Sequence, residues 1–190
     1  MPERPLSPGE RRRRVLIVCC NFVRSLAIYR SVMHKGETLL AKSYVDVVFW
    51  RQVASDAIDV CVLEWCKVFA DPKWGKHHYT RIFSEKGQVD FLQRLFSEQN
   101  LTPVEYEAFV KNLRLYRDKF VAHLDDERIM YPPKFDIAFA SISLLYSLLV
   151  EKECGPEEIA GFAKTRADFE TEYNLCVQKT NAIIRRTIGE

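Results

Sequence analysis

The run Leu113–Glu127, LRLYRDKFVAHLDDE, holds an arginine, an acid and a lone histidine close together: Arg117, Asp118 and His123. These residue types suit transfer of a phosphodiester to a neighbouring 2′-hydroxyl. A guanidinium offers phosphate oxygens a planar fork of donors and never loses its charge. An imidazole, with an ordinary pKa of about 6.5, takes up a proton and returns it near neutrality. Such chemistry needs no metal and no cofactor. The plainer alternative is a core helix with a charged border, because an arginine and a histidine six positions apart are common.

An ideal helix turns about 100° per residue, so Leu113, Tyr116, Phe120 and Leu124 fall within roughly 60° of Phe109 and form a core stripe. Asp118 lies on the opposite, watery side. Arg117 and His123 flank the stripe about 120° apart and differ in height by about 9 Å. The reach of Arg117, with unwinding at a helix end near His123, would let the two converge. The wheel does not force them to.

The elements that must hold this run are helices. The chain of 190 residues is 47% hydrophobic and 28% charged, the mix of a globular protein with a real core. Seven glycines and eight prolines leave little turn material, which favours long helices. Net charge is +2, so nucleic-acid binding has to rest on local patches. Residues 1–14 read as a disordered basic tail, and Arg11–Arg14 as solvated charges; an RNA-steering arm is the lesser alternative. From Val15 the positions Cys19, Phe22, Leu26, Tyr29 and Met33 recur at helical steps, up to a stop at Gly36. A second helix is expected from about Leu39 to Ala70, then an irregular segment over Asp71–Gly87 and a short helix across Val89–Phe96.

Thr102, Pro103 and Glu105 spell an N-cap, a first helical position and a capping box, opening a helix that should reach about His123. Pro132 and Pro133 open the next helix, which ends near Cys154–Gly155–Pro156, and a last one carries Phe169, Tyr173, Cys176 and Ile183. No segment alternates like a strand. The expected fold is all-α, an up-and-down bundle of four to five long helices, with residues 15–190 as one domain.

The motif RDKFVAH, with LRLY before it and LDD after it, resembles the HEPN superfamily. The mark of that superfamily is an arginine, a polar residue directly after it, and a histidine separated from the arginine by four to six residues. Arg117, Asp118 and His123 match with five residues between. The long first half and the connection DPKWGKHHY resemble its abortive-infection-related (AbiU-like) branch, over nearly all of residues 15–190. The resemblance implies a dimer that brings two motif helices together and cuts RNA without a metal, leaving a 2′,3′-cyclic phosphate. His123 would then activate the 2′-hydroxyl or protonate the leaving oxygen. Arg117 would bind the charged phosphorane, and Asp118 would orient the pair. A toxin or phage-defence role is implied as well, beside a cognate antitoxin or a nucleotidyltransferase-type partner.

One feature departs from the pattern: asparagine is frequent where Asp118 stands, and Asp125, Asp126 and Glu127 add negative charge that repels phosphate. Lys111, Arg114, Lys119 and Arg128 are the cations that could offset it and meet an RNA backbone.

Other residues read more plainly. Six scattered cysteines, with no export signal, are expected as reduced thiols in a cytoplasmic protein. Cys61 and Cys66 with His77 and His78 lack the spacing of a zinc site. The connection with Lys73, Trp74, Lys76, His77, His78, Tyr79 and Arg81 reads as pinned to the bundle by Trp74 and Tyr79, the alternative being a single-strand-binding loop. Trp50 and Trp65 are core or dimer contacts, and Phe135–Val150 is too short to cross a membrane. Two further classes stand beside the nuclease: a non-catalytic module that binds a partner protein or a nucleotide, and a purely structural oligomer.

Overall fold

The computed structural model describes residues 4–35, 44–73, 75–121 and 134–189. Every regular element among them is helical. There are six helices: α1 (Pro8–His34), α2 (Tyr44–Phe69), α3 (Glu85–Gln99), α4 (Pro103–Tyr116), α5 (Asp136–Leu148) and α6 (Arg166–Ile188). The all-α expectation holds. The count exceeds the expected four or five because the short helix foreseen at Val89–Phe96 is a full element. Ser84 caps it by accepting from the Gly87 N–H at 3.2 Å, and left-handed Asn100 (φ 50°) closes it. Gly36, Pro132 and Pro133, read as helix boundaries, lie outside the described residues.

The first helix starts at Pro8 rather than Val15. Ser7 Oγ accepts the Glu10 N–H at 3.2 Å, while the Glu10 carboxylate accepts the Ser7 N–H at 2.7 Å, a reciprocal capping box with Pro8 at the first position. The expectation of a disordered tail over residues 1–14 therefore fails for residues 8–14. Nor are its arginines idle. Arg12 grips Glu158 with two bonds of 2.7 and 2.9 Å, both side chains only 22% exposed. Arg13 donates to the carbonyls of Glu158 and Ala160 and lies over the Phe162 ring, 4.9 Å from its centre. The basic run thus ties the start of α1 to the segment between α5 and α6.

This contact sets a pH dependence. The bonds from Arg12 hold the Glu158 carboxyl below its ordinary value. A carboxyl depressed by folding contributes stability above its unfolded pKa and loses it as pH falls through the folded value. Arg12→Ala should therefore cost about 1–2 kcal/mol at neutral pH. The deficit should close in acid, as read from thermal melts of both proteins across a pH series.

The core is continuous and aromatic. Leu16, Phe22 and Leu26 of α1 meet Trp65 of α2, Phe91 and Leu95 of α3, Leu113 of α4, Ile142 and Leu145 of α5 and Phe169 of α6, all fully buried. From Ala140 to Val150 every residue is buried, which accounts for the absence of charge from Ala140 to Leu148, where Ser141, Ser143 and Ser147 are the polar side chains. Tyr146 stacks on Phe169 with ring centres 3.9 Å apart and donates its hydroxyl to the Ala163 carbonyl at 2.8 Å. Among the described residues only α1 is long and apolar enough to cross a membrane, and 61% of its most apolar window is buried against the other helices. Trp50 and Trp65 are both core residues; Trp50 anchors a smaller cluster with Val32, Ala54 and Ile184.

Candidate functional site

Thr102 does what its neighbours led us to expect. Its hydroxyl accepts from the Glu105 N–H at 3.3 Å, and its own N–H donates to the Glu105 carboxylate at 2.8 Å, so α4 starts at Pro103. Along α4 the stripe faces inward as the wheel requires: Leu113 and Tyr116 are buried and Phe109 is half-buried. The regular α-helix ends at Tyr116. At Arg117 it widens into a π-type turn spanning Arg117–Val121, so the ideal angle and rise between Arg117 and His123 no longer apply. His123, Leu124, Asp125, Asp126, Glu127 and Arg128 lie outside the described residues.

Arg117 heads this turn, 20% exposed, with its guanidinium held by two carboxylates. One is Asp118, whose Oδ1 accepts from Nε at 2.8 Å and forms an ion pair with a terminal nitrogen at 2.8 Å. The other is Asp71, just past the end of α2, which Arg117 grips through its second terminal nitrogen. Arg114, one turn earlier on the same face, reaches the other oxygen of Asp71 at 3.4 Å. Burial works against the charge of Arg117, but the two carboxylates outweigh it and raise its pKa. The cation is permanent and its present ligands are acids.

Asp71 owes its position to the connection that follows α2. Its carbonyl accepts the Gly75 N–H at 2.7 Å, and the Gly75 carbonyl accepts the His78 N–H at 3.2 Å. The turn over Tyr79–Arg81 is capped by His78, whose ring nitrogen bonds the Thr80 hydroxyl at 2.8 Å. His78 and Tyr79 are buried, so they pin this segment to the bundle; Trp74, the other anchor read from the sequence, lies outside the described residues.

Two concavities flank the arginine pair. A crevice of about 300 Å³ is lined by Cys66, Lys67, Asp71, Gly75 and Arg117. A wider one of about 700 Å³ has an apolar floor with Phe69 and Tyr79, and Lys111 and Arg114 on its wall. Cys66 is no nucleophile here, because burial pushes its thiol up to about 12. The fold thus brings Arg114, Arg117 and Asp118 together around Asp71 and sets Lys111 beside them. Lys119 follows in the π-type turn, half-buried.

Sequence reasoning missed Asp71, which lies 46 positions from Arg117. A faint signal existed: it is the sole acid between residues 71 and 81, in an otherwise basic connection. Chemically, the site presents a fixed cation at the edge of a solvent-reachable crevice. An anionic ligand enters only by displacing a carboxylate from it. No family model matches the chain, and neither a curated protein nor a solved structure does.

Proposed function

We propose that this chain is a HEPN-type, metal-independent endoribonuclease that cleaves RNA by attack of a 2′-hydroxyl on its own phosphodiester. The observation that supports it is Arg117, an always-charged fork at the head of a π-type turn, opening onto a crevice beside Arg114 and Lys67. In this reading Asp71 and Asp118 keep the guanidinium extended until a phosphate replaces Asp71. His123 supplies the proton transfers. The helices form an up-and-down HEPN-like bundle, and two copies pair their motif helices around one cleft. A toxin or phage-defence role with a neutralising partner completes it. The six free cysteines, four of them buried, fit a reducing, cytoplasmic setting.

The test is incubation of purified protein with RNA in the presence of a chelator. Cleavage that disappears in His123→Ala supports the proposal; no cleavage, or cleavage unchanged in that variant, sinks it.

A second reading, a non-catalytic binding module, is favoured by one observation: both acids at Arg117 already occupy the donors a phosphate would need. Asp71→Asn tells a displaceable carboxylate from a structural latch. If the carboxylate stands in for substrate, removing its charge should tighten RNA binding several-fold, seen as a lower KM or Kd, because a phosphate no longer meets a fixed negative charge. If the cluster is a structural latch, the variant melts earlier and RNA affinity does not move.

A further inference from the structure

A second basic concavity lies on the other flank of the connection after α2. It is formed where the start of α1 meets residues 76–81, has a volume of about 550 Å³, and is lined by Arg4, Arg11, Arg14, Lys76 and Arg81. No acid lines it. Among the described residues, Glu10 is the one carboxylate that compensates any of the five, and it is engaged by Arg4 at 2.7 Å and by the Ser7 N–H. Arg11 and Arg81 bond only neutral carbonyls: Arg11 that of Arg81 at 3.5 Å, and Arg81 that of Lys73 at 3.0 Å. These bonds fix the side chains without cancelling their charge. The Arg11 Nε is buried with no partner. Arg14 and Lys76 form no ion pair with an acid among the described residues.

The charge gathered here works against folding. Arg11 and Arg14 stand three apart on one helical face, where like charges repel. Lys76 and Arg81 are then brought against them by a turn that His78 and Tyr79 lock in place. The excess charge also acts on His77 beside the pocket. Burial pushes its pKa down first, and Arg14, Arg11, Lys67 and Lys76 push it further the same way. Arginine forks bind phosphate oxygens in pairs and lysine adds a point charge.

We infer that this pocket is a binding site for a compact oligophosphate, the di- or triphosphate group of a nucleotide or of inorganic polyphosphate. Several cations around one small concavity match charge packed on adjacent phosphates better than the single charges spaced along an RNA strand. Arg117 takes no part in lining it, so the site stands or falls independently of RNA cleavage.

Titration calorimetry of the full chain with inorganic triphosphate tests the inference. Saturable binding should appear. Arg14→Gln and Lys76→Gln should each weaken it about tenfold, the worth of one charge-assisted contact. Arg117→Ala and the exposed Arg185→Gln should bind as the unaltered chain does, and circular dichroism should show every variant folded. Affinity no higher than for orthophosphate, or binding unmoved by Arg14→Gln and Lys76→Gln, would overturn it. So would equal competition from an RNA oligomer with a 5′-hydroxyl, which would make the pocket a backbone groove. A loss of binding in Arg117→Ala would relocate the ligand to the first crevice and overturn it too.

Discussion

Replacing Trp65 with alanine should lower the free energy of unfolding by about 3–5 kcal/mol, read from the midpoint of urea denaturation. Trp65 is fully buried, with its ring 5.0 Å from Phe69 and 5.3 Å from Phe109. Its Nε1 donates to the Ser141 hydroxyl at 2.9 Å, and Ser141 donates onward to the Ala138 carbonyl. The truncation therefore empties a large volume between α2, α4 and α5 and removes the donor from which the buried Ser141 hydroxyl accepts. Domains of this size are stable by only about 5–15 kcal/mol, so the variant should sit near the edge of folding. Trp65→Phe keeps most of the volume and loses the hydrogen bond, for a smaller cost of about 1–2 kcal/mol. A Trp65→Ala cost below that of Trp65→Phe would mean the core is not packed as described.

The second large effect concerns chemistry. On the proposed function, Arg117→Ala should slow RNA cleavage by about 10²–10³-fold, the usual loss when one donor to a developing anion is removed. Arg117→Lys should not restore the rate, because an ammonium cannot present two parallel donors. Stability should change little. Asp71 is 26% exposed, retains Arg114 and can be hydrated, so about 1 kcal/mol is expected. A melting curve separates the two outcomes. A large rate loss at nearly unchanged Tm supports direct action on substrate, whereas a rate loss that tracks Tm makes Arg117 a scaffold residue.

Helix existence and much of the core could be read from spacing alone, because apolar periodicity and capping chemistry are local. Thr102, Pro103 and Glu105 announce α4, and the inward stripe of Leu113 and Tyr116 follows from the helical turn. The same chemistry was present at Ser7 and Glu10 but was masked by the prolines and the arginine run around it. Arg12 looked like part of a tail only because its acceptor, Glu158, lies 146 residues away. The candidate site divides the same way. Arg117 and Asp118 are adjacent and readable. Asp71 joins them only through the tertiary course of the chain after α2, which no local pattern encodes. The π-type turn at Arg117–Val121 interrupts the regular α-helix that periodicity expects there, since a widened turn leaves no signature in residue spacing.

The ends left on cleaved RNA report directly on the attacking group. A short oligomer of defined sequence, cut by the purified chain in chelator, can have its 3′ termini identified by mass. Attack by the adjacent 2′-hydroxyl requires a 2′,3′-cyclic phosphate, absent when a single 2′-deoxy sugar is placed at the cleavage position. Termini bearing a 3′-hydroxyl, or cutting that continues at the deoxy position, would contradict it.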